Sequence, residues 1–511
     1  MPLLRQCRSR VDRRPQRESR MKPFHHIVCA YLLFIPCFAF GQQDILQPNI
    51  IVVMSDDHAQ WAMGAYGLEE INTPNLDWLA SQGVLFTNAT SPAPVCSPAR
   101  ASFYTGKMPS QHGVHDMLAS EPKFDADWLS GETLLSERLK ELGYRVALFG
   151  KWHASTFQNS GQPGFDRWLS YDDIGAGWQQ TYNHSGTVRF SSDGEPLLYT
   201  GVQARFLTEE AIRFIDEEPD SPFFISLNLV EPHAPFSGLP MRLVAQYRAK
   251  SNKVVRAGGS SDLPDRGAYM RVPDDHAEQL AQYLAAISLI DEQIGRILDA
   301  LQGRDLLRDT LLVYTSDHGL LMGQYGLYGK TNATSPSNFY EQTIRIPLIV
   351  YGPAGMIRPN QSRAEFVDLI DLHTTVMDYA TGGRTPTSEY GPGRSMRILF
   401  EGERNVAWRT AQFAEHRNAR MISDGHWKLV RYFQRNREQA PKDFWYDLAH
   451  PLGERHVSDP PRPAVQNRLI TEMEVFFAKY ETPEHTARRF WDQPPPNPGS
   501  IRTLDNNPPH R

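Results

Sequence analysis

Residues 49–54 read Asn-Ile-Ile-Val-Val-Met, an apolar, mostly β-branched run with no polar residue after its first position. A strand that alternates polar and apolar side chains can keep one face in water. A strand without alternation must be covered on both faces. That requirement predicts a parallel sheet sandwiched between helices, because crossover connections lay helices over both faces of such a sheet. The following sequence keeps to the same scheme. Helices are predicted over 75–82, 133–142, 203–217, 275–302 and 369–380, with Gly83 and Gly143 as stop signals. Strands are predicted over 144–149, 222–230, 310–315 and 346–351. The expected class is α/β, with a large, mostly parallel sheet between helices.

After residue 382 the pattern changes. Gly and Pro become dense through Gly393, and short strand-like segments follow at 409–415, 419–423, 427–433 and 444–447. Asp424-Gly425 reads as a turn between two of them. A smaller C-terminal antiparallel sheet is therefore expected, with a helix over 465–480 packed on it. The predicted organisation is an N-extension and leader over 1–41, a catalytic domain over 42–382 and a small α+β subdomain with a tail over 383–511. A chain of 511 residues is long enough for this.

The leader is read from charge and hydropathy. Met21 is followed by Lys22, His25 and His26, then an apolar run over 27–40, then Ala39-Phe40-Gly41. That is a charged region, an apolar region and a small-residue cleavage site. Translation is expected to start at Met21, and the product to be exported to the periplasm or secreted. The apolar run is short for a membrane span, so the mature chain is expected to have no stable one. A net charge of −6 and the lack of a basic run in the mature region argue against a nucleic-acid partner.

Four of the five predicted strands of the large sheet end in reactive residues. The endings are Ser55-Asp56-Asp57-His58, Gly150-Lys151-Trp152-His153, Glu231-Pro232-His233 and Ser316-Asp317-His318-Gly319. Ligands of parallel sheets bind beyond the carboxyl ends of the strands. Asp56 and Asp57 are adjacent carboxylates and Asp317 adds a third, so a divalent cation such as Ca²⁺ or Mg²⁺ is the natural compensation. Arg100, Lys151, His153, His233 and Lys330 form a cationic set suited to a tetrahedral oxyanion, sulfate or phosphate.

Of four cysteines, Cys7, Cys29 and Cys37 fall in the leader region, which leaves Cys96 alone. A lone thiol can be a buried apolar residue, a reactive group, half of an intermolecular bridge or a modified residue. The Pro-studded approach Ser91-Pro92-Ala93-Pro94 is poor core strand or helix interior, which favours a functional role.

These residues resemble the signature of the formylglycine-dependent type I sulfatases of the alkaline phosphatase superfamily. The signature Cys-x-Pro-x-Arg, followed by Thr-Gly, stands here as Cys96-Ser97-Pro98-Ala99-Arg100 and Thr105-Gly106. PNIIVVMSDD, GKWH, EPHAPF, TSDHG and HWKLVRYF with WYDL extend the resemblance from Pro48 to about Asp447. It implies an alkaline-phosphatase-like fold and hydrolysis of a sulfate ester, with a sulfated saccharide the expected substrate. It implies that a formylglycine-generating enzyme oxidises Cys96 before folding, and that the hydrated aldehyde is the nucleophile. It implies one Ca²⁺ per subunit, held by Asp56, Asp57, Asp317, His318 and the modified Cys96. Arg100, Lys151, His153, His233 and Lys330 match the remaining catalytic and sulfate-binding positions. The chain departs from many relatives in having His318 rather than Asn, and in the longer stretch 331–338 after Lys330.

Further candidates are His112 and His115 just after the signature, and Glu415 and Arg417 beside His416 in the C-terminal region, as substrate-binding groups. Trp168, Tyr171, Trp178 and Tyr182 either line a sugar site or pack as ordinary loop residues. Two alternatives remain open from sequence: a phosphoester or phosphonate monoester hydrolase of the same superfamily, and an inactive protein that binds sulfated glycans.

Overall fold

The computed structural model describes residues 47–493, except 119–127, 156–160, 172–183, 218–220, 251–258, 268–269, 384–390 and 401–405. The predicted leader lies outside the described residues. In chain order the strands are β1 (Asn49–Ser55), β2 (Val84–Phe86), β3 (Ala89–Thr90), β4 (Arg145–Gly150), β5 (Arg167–Tyr171), β6 (Ser185–Ser192), β7 (Glu195–Val202), β8 (Phe223–Asn228) and β9 (Thr310–Ser316). They continue with β10 (Leu321–Met322), β11 (Tyr328–Gly329), β12 (Leu348–Tyr351), β13 (Gln361–Arg363), β14 (Val367–Asp368), β15 (Gln412–His416), β16 (Ala419–Ser423), β17 (Trp427–Tyr432) and β18 (Lys442–Asp447).

Ten strands form one sheet in the order β13-β2-β12-β9-β1-β8-β4-β5-β6-β7. The five central strands, β9 to β5 in that order, are parallel. Antiparallel neighbours flank them, β12 on one side and the β6–β7 hairpin on the other. β1 and β9 are buried along almost their whole length, as their lack of alternation demands. One face of the sheet packs under the helices Pro74–Gln82, Gln203–Asp216 and His276–Gln302, where Ile51, Val53, Leu76, Leu207, Leu284 and Ile287 share a core. Ile50, Val52 and Met54 face the other way. They pack with residues of the helices Cys96–Thr105, Leu135–Glu141 and Leu369–Thr381.

The register of the central strands decides where their ends lie. Ser55 is level with Ser316, Met54 with Asn228, and Gly150 with Asn228. The four chemically suggestive endings therefore leave the sheet at one edge. Gly150 is needed there for two reasons. Its φ is +107°, and a Cβ would meet Asn228 O at 2.0 Å.

The strands β15 to β18 form the second, antiparallel sheet in sequence order. One of its faces packs Ala414, Met421 and Val430 on Leu321, Phe339, Tyr340 and Ile344 of the main body. The other packs Ile422, Leu429 and Trp445 on Leu469, Met473 and Phe477 of the helix Pro463–Tyr480.

Three local features follow from this packing. The stretch between His153 and Val202 contributes β5, β6 and β7 to the large sheet. Trp168 packs against Trp152 and Phe165, and Tyr171 is buried against Phe190, so both are core residues. Trp178 and Tyr182 lie outside the described residues. Cys96, after the Pro-studded approach, opens a helix whose ten residues are all buried.

Candidate active site

The helix Cys96–Thr105 forms because Pro98 falls in its first turn, where a missing N–H costs nothing, and small residues follow. Gly106, at φ +72°, ends it and donates its N–H to Ser102 O. Cys96 sits at the N-terminal, positive end of the helix dipole. Arg100 is one turn further on and shares its face. The helix thus presents a nucleophile candidate and a guanidinium side by side.

Against this helix stand the strand ends. Lys330 Nζ donates to Cys96 Sγ (3.0 Å) and to Asp57 Oδ1 (2.7 Å). His318 Nε2 is 3.2 Å from Cys96 Sγ, and Asp56 Oδ1 is 3.5 Å from it. Lys151 Nζ donates to Asp56 Oδ2 (2.5 Å), and Arg100 Nε to Asp317 Oδ2 (2.9 Å). His233 Nε2 lies 3.7 Å from Asp57 Oδ2. Asp56, Asp57, Arg100, Lys151, Asp317 and His318 are all buried.

The hydrogen bonds fix the histidine tautomers. His153 Nε2 faces Leu118 O at 3.0 Å, so it carries the proton and Nδ1 keeps the lone pair. His233 Nδ1 donates to Ala234 O (2.5 Å), which leaves Nε2 on the side of Asp57. His318 Nδ1 donates to Gly319 O (3.0 Å), which turns Nε2 toward Cys96.

Charge and burial compete throughout the cluster. Burial, then Asp56, push the Cys96 thiol up, but Lys151, Lys330 and His318 overcome both and hold it well below the usual thiol range. Asp56 is likewise held low against burial by Lys151, His233, Lys330 and Arg100. Burial and the neighbouring Asp56 push Asp317 up to about 6. His318, despite burial, is raised to about 9 by Asp317. Burial lowers His153 and His233.

A cation fits these groups. Asp56, Cys96, Asp317 and His318 each offer a ligand atom within 4.8 Å of one another, and so do Asp56, Asp57, Cys96 and His233. Each set holds two buried carboxylates, with Asp56 common to both, and carboxylate oxygens of this kind suit a hard divalent ion. In their present pairing, Asp56, Asp57 and Asp317 are balanced by Lys151, Lys330 and Arg100. A divalent ion added to that balance leaves an excess of two positive charges, and the site then attracts an anion.

Other candidates lie elsewhere. His112 Nε2 meets Ser102 Oγ (3.0 Å) and its Nδ1 accepts from Val114 N (3.1 Å). His115 Nε2 donates to His485 O (2.5 Å). Glu415 is fully buried, and its two oxygens accept from Ser110 N and Ser110 Oγ (2.5 Å each). Arg417 is buried in an ion pair with Asp116 (2.7 Å). His115, Glu415 and Arg417 tie the small sheet and the C-terminal segment to the main body, whereas His112 bonds within the main body, and Glu415 does not stand on an open rim.

Two features escaped the sequence reading. Asn228 Nδ2 donates to Lys151 O and to Tyr104 Oη (2.8 Å each), and Arg100 Nη1 donates to the same Lys151 carbonyl (2.9 Å). Asn228 thus locks the Cys96 helix to the strand end that carries Lys151. Its signal was available: Ser226 and Asn228 are polar residues inside a strand buried on both faces. The small sheet has a comparable effect on Lys330. Lys428 Nζ donates to Phe339 O (2.8 Å) and pairs with Glu341 and Glu454, while Tyr432 Oη donates to Ser337 O (2.7 Å). Those bonds brace the segment after Lys330.

The chain is similar to several known proteins. The sulfatase family model matches residues 48–383. A second model, N-sulphoglucosamine sulphohydrolase, C-terminal, matches residues 323–475. The chain is 25% identical over 480 residues to an N-acetylglucosamine-6-O-sulfatase of Bacteroides thetaiotaomicron, covering 79% of this chain and 82% of that protein. It is 26% identical over 523 residues to a choline-sulfatase of Rhizobium meliloti, covering 90% and 96%. A solved structure in complex with its substrate D-glucosamine-2-N,6-O-disulfate superposes with a TM-score of 0.70 at 23% identity, covering 85% of this chain and 98% of that one.

Proposed function

The chain belongs to the sulfatase family, a group of sulfuric ester hydrolases, and on that premise we propose that it hydrolyses a sulfate ester of a saccharide, using Cys96 converted to formylglycine beside a bound Ca²⁺. The observation that carries this reading is the position of Cys96: its sulfur stands where the formylglycine hydroxyl would stand, 3.0 Å from Lys330 Nζ and 3.2 Å from His318 Nε2. A thiol meant only for core packing has no use for three buried carboxylates and three cations around it. The saccharide is supported by the N-acetylglucosamine-6-O-sulfatase relative. The leader-like segment over 21–41 supports export, which would bring the enzyme to periplasmic or extracellular glycans. Among the described residues, no helix is long and apolar enough to cross a membrane.

Asp56, Asp57, Asp317 and His318 would hold the cation, and His318 would give up its proton to do so. When bound, the ion would acidify and orient the attacking hydroxyl. The protein's own groups account for the remaining steps. Arg100, Lys151 and Lys330 face the charge that gathers on the sulfuryl oxygens, in a buried setting where such contacts are strong. His233, once protonated on Nε2 beside the Asp57 carboxylate while Nδ1 stays bonded to Ala234 O, would donate that proton to the leaving alcohol. His153 Nδ1, with its lone pair kept free by the Leu118 bond, is the atom placed to take the proton that releases sulfate. Asn228 keeps Lys151 and Arg100 in register while these transfers occur.

The test combines mass and substrate range. A tryptic peptide containing Cys96 should be about 18 Da lighter than the thiol form, the difference between thiol and aldehyde. The modified protein should release sulfate from sulfated N-acetylhexosamines faster than it cleaves phosphate or phosphonate monoesters. An unmodified peptide from fully active protein sinks the formylglycine reading, and a preference for phosphorus esters moves the chain to the phosphonate hydrolase alternative.

A second expectation concerns His233. Its replacement by Ala should cost roughly 10²–10⁴-fold on saccharide sulfates, whose alkoxide must be protonated as it leaves. Aryl sulfates have stable leaving groups and should lose no more than about tenfold. Equal losses on both would assign His233 to sulfate binding instead.

A further inference from the structure

We infer that Tyr283 is a positioning residue for the cation site: its hydroxyl, presented by the helix His276–Gln302, holds the Asp57 turn in the backbone form that aims the Asp57 carboxylate at the other ligands. The inference rests on the cation-site reading above and extends it to a residue far from it in sequence.

Asp57 has φ +68°, a left-handed conformation that a residue with a Cβ disfavours and that persists only where surrounding groups enforce it. The partners of this turn account for the enforcement. Asp56 N donates to Glu231 O (3.1 Å), Asp57 N to Asp317 Oδ1 (3.3 Å) and His58 N to Ser316 Oγ (3.0 Å). Tyr283 makes the last two contacts at once. Its hydroxyl donates to Asp57 O (2.9 Å) and accepts from Ala59 N (3.0 Å). The first three partners belong to strand ends of the site itself. Tyr283 alone comes from the helical layer, and it closes the turn from behind.

The ring is held as firmly as the hydroxyl. Tyr283 is fully buried, stacks on Trp61 with centroids 5.9 Å apart, and meets Phe236 edge-on at 5.9 Å. Phe236 follows His233 in the same loop. One side chain therefore packs on that loop and bonds to the ligand-bearing turn. The consequence for Asp57 is direct, because its carboxylate has three neighbours to reach: Lys330 Nζ, His318 Nδ1 at 3.2 Å and His233 Nε2 at 3.7 Å. Without the hydroxyl, Asp57 O and Ala59 N lose their shared partner. The turn is then free to leave the left-handed form, and the carboxylate turns away from the cluster.

The experiment compares two Tyr→Phe variants of the full chain, stripped with EDTA and titrated with Ca²⁺ in a calorimeter. Tyr283→Phe keeps the ring and loses the hydroxyl. Tyr247→Phe is the control, since its buried hydroxyl also bridges a loop amide, Asn72 N, and a side chain of the same long helix, Ser288. Tyr283→Phe is expected to bind Ca²⁺ about tenfold more weakly, the scale of two ordinary hydrogen bonds lost from a preorganised state. Tyr247→Phe is expected to lower the melting temperature and leave Ca²⁺ affinity unchanged. Wild-type affinity in Tyr283→Phe, or equal losses in both variants, overturns the inference. If the wild type itself binds no Ca²⁺, the cation reading fails, and that outcome is distinct from the other two. Should Tyr283→Phe not fold, 4-aminophenylalanine at position 283 replaces it. That group keeps the donor but accepts poorly, and about threefold weaker binding is expected; an unchanged affinity there also overturns the inference.

Discussion

Cys96→Ala should abolish sulfatase turnover, by at least about 10⁴-fold, while the protein remains folded. The two halves of this expectation have separate causes. Turnover goes because Cys96 is the only residue at the strand-end cluster that the proposed chemistry can convert into a nucleophile. The groups around it, Lys151, Lys330, Arg100 and the three aspartates, bind and polarise but cannot attack sulfur. Folding survives because little is removed. Cys96 makes no disulfide, and its sulfur contacts charged groups rather than apolar neighbours. The loss of a small buried side chain at a helix start costs on the order of 1 kcal/mol. The variant should therefore melt within a few degrees of the wild type and still bind inorganic sulfate competitively. Circular dichroism, a melting curve and a single-turnover assay decide the matter. Retained turnover would falsify the nucleophile assignment and the mechanism that depends on it.

The second large effect is expected at the carboxylates. Asp56→Asn is nearly isosteric, yet it should weaken Ca²⁺ binding by about 10²-fold or more and reduce kcat by about 10³-fold. The substitution removes a charge from a buried set in which three carboxylates face three cations. Lys151 Nζ, which donates to Asp56 Oδ2, is left with a neutral acceptor in a buried setting. The surplus positive charge then repels the proposed cation. EDTA should mimic the variant in the wild type, and added Ca²⁺ should restore the wild type at low concentration but the variant only at high concentration. Full activity of the wild type after EDTA treatment, with no divalent ion detectable by mass spectrometry, would remove the cation from the mechanism.

Much of the catalytic edge was legible before any coordinates. The strands over 49–54 and 310–315 were readable because a run without alternation has only one comfortable environment. The residues that follow them, Asp56, Asp57, Asp317 and His318, had to lie at strand ends, and strand ends of a parallel sheet share an edge. The signature at Cys96 was readable because it is contiguous. Helix boundaries over 203–216, 276–302 and 369–381 came within a residue or two of those read from periodicity and glycine stops. What failed were side chains whose meaning depends on the opposite wall. Glu415 reads as a substrate-binding group beside His416 and Arg417, but it is buried on Ser110, 305 residues away in sequence. Trp168 and Tyr171 read as sugar-site candidates because nothing local told them apart from core aromatics.

The kind of sheet, the residues that follow its strands and the signature at Cys96 are written locally in the chain. Each of these rests on short-range chemistry: apolar periodicity, glycine and proline stereochemistry, and a five-residue motif. The tertiary structure decided which of those groups meet. The strand order β9-β1-β8-β4 brings Ser316, Ser55, Asn228 and Gly150 within one residue of the same level and so converges four separate loops. Lys330 reaches Asp57 across 273 residues, and Tyr283 reaches the same residue across 226. No local pattern specifies such pairs, because they depend on how strands are ordered and how layers are packed, and those are settled by the burial of the whole core at once.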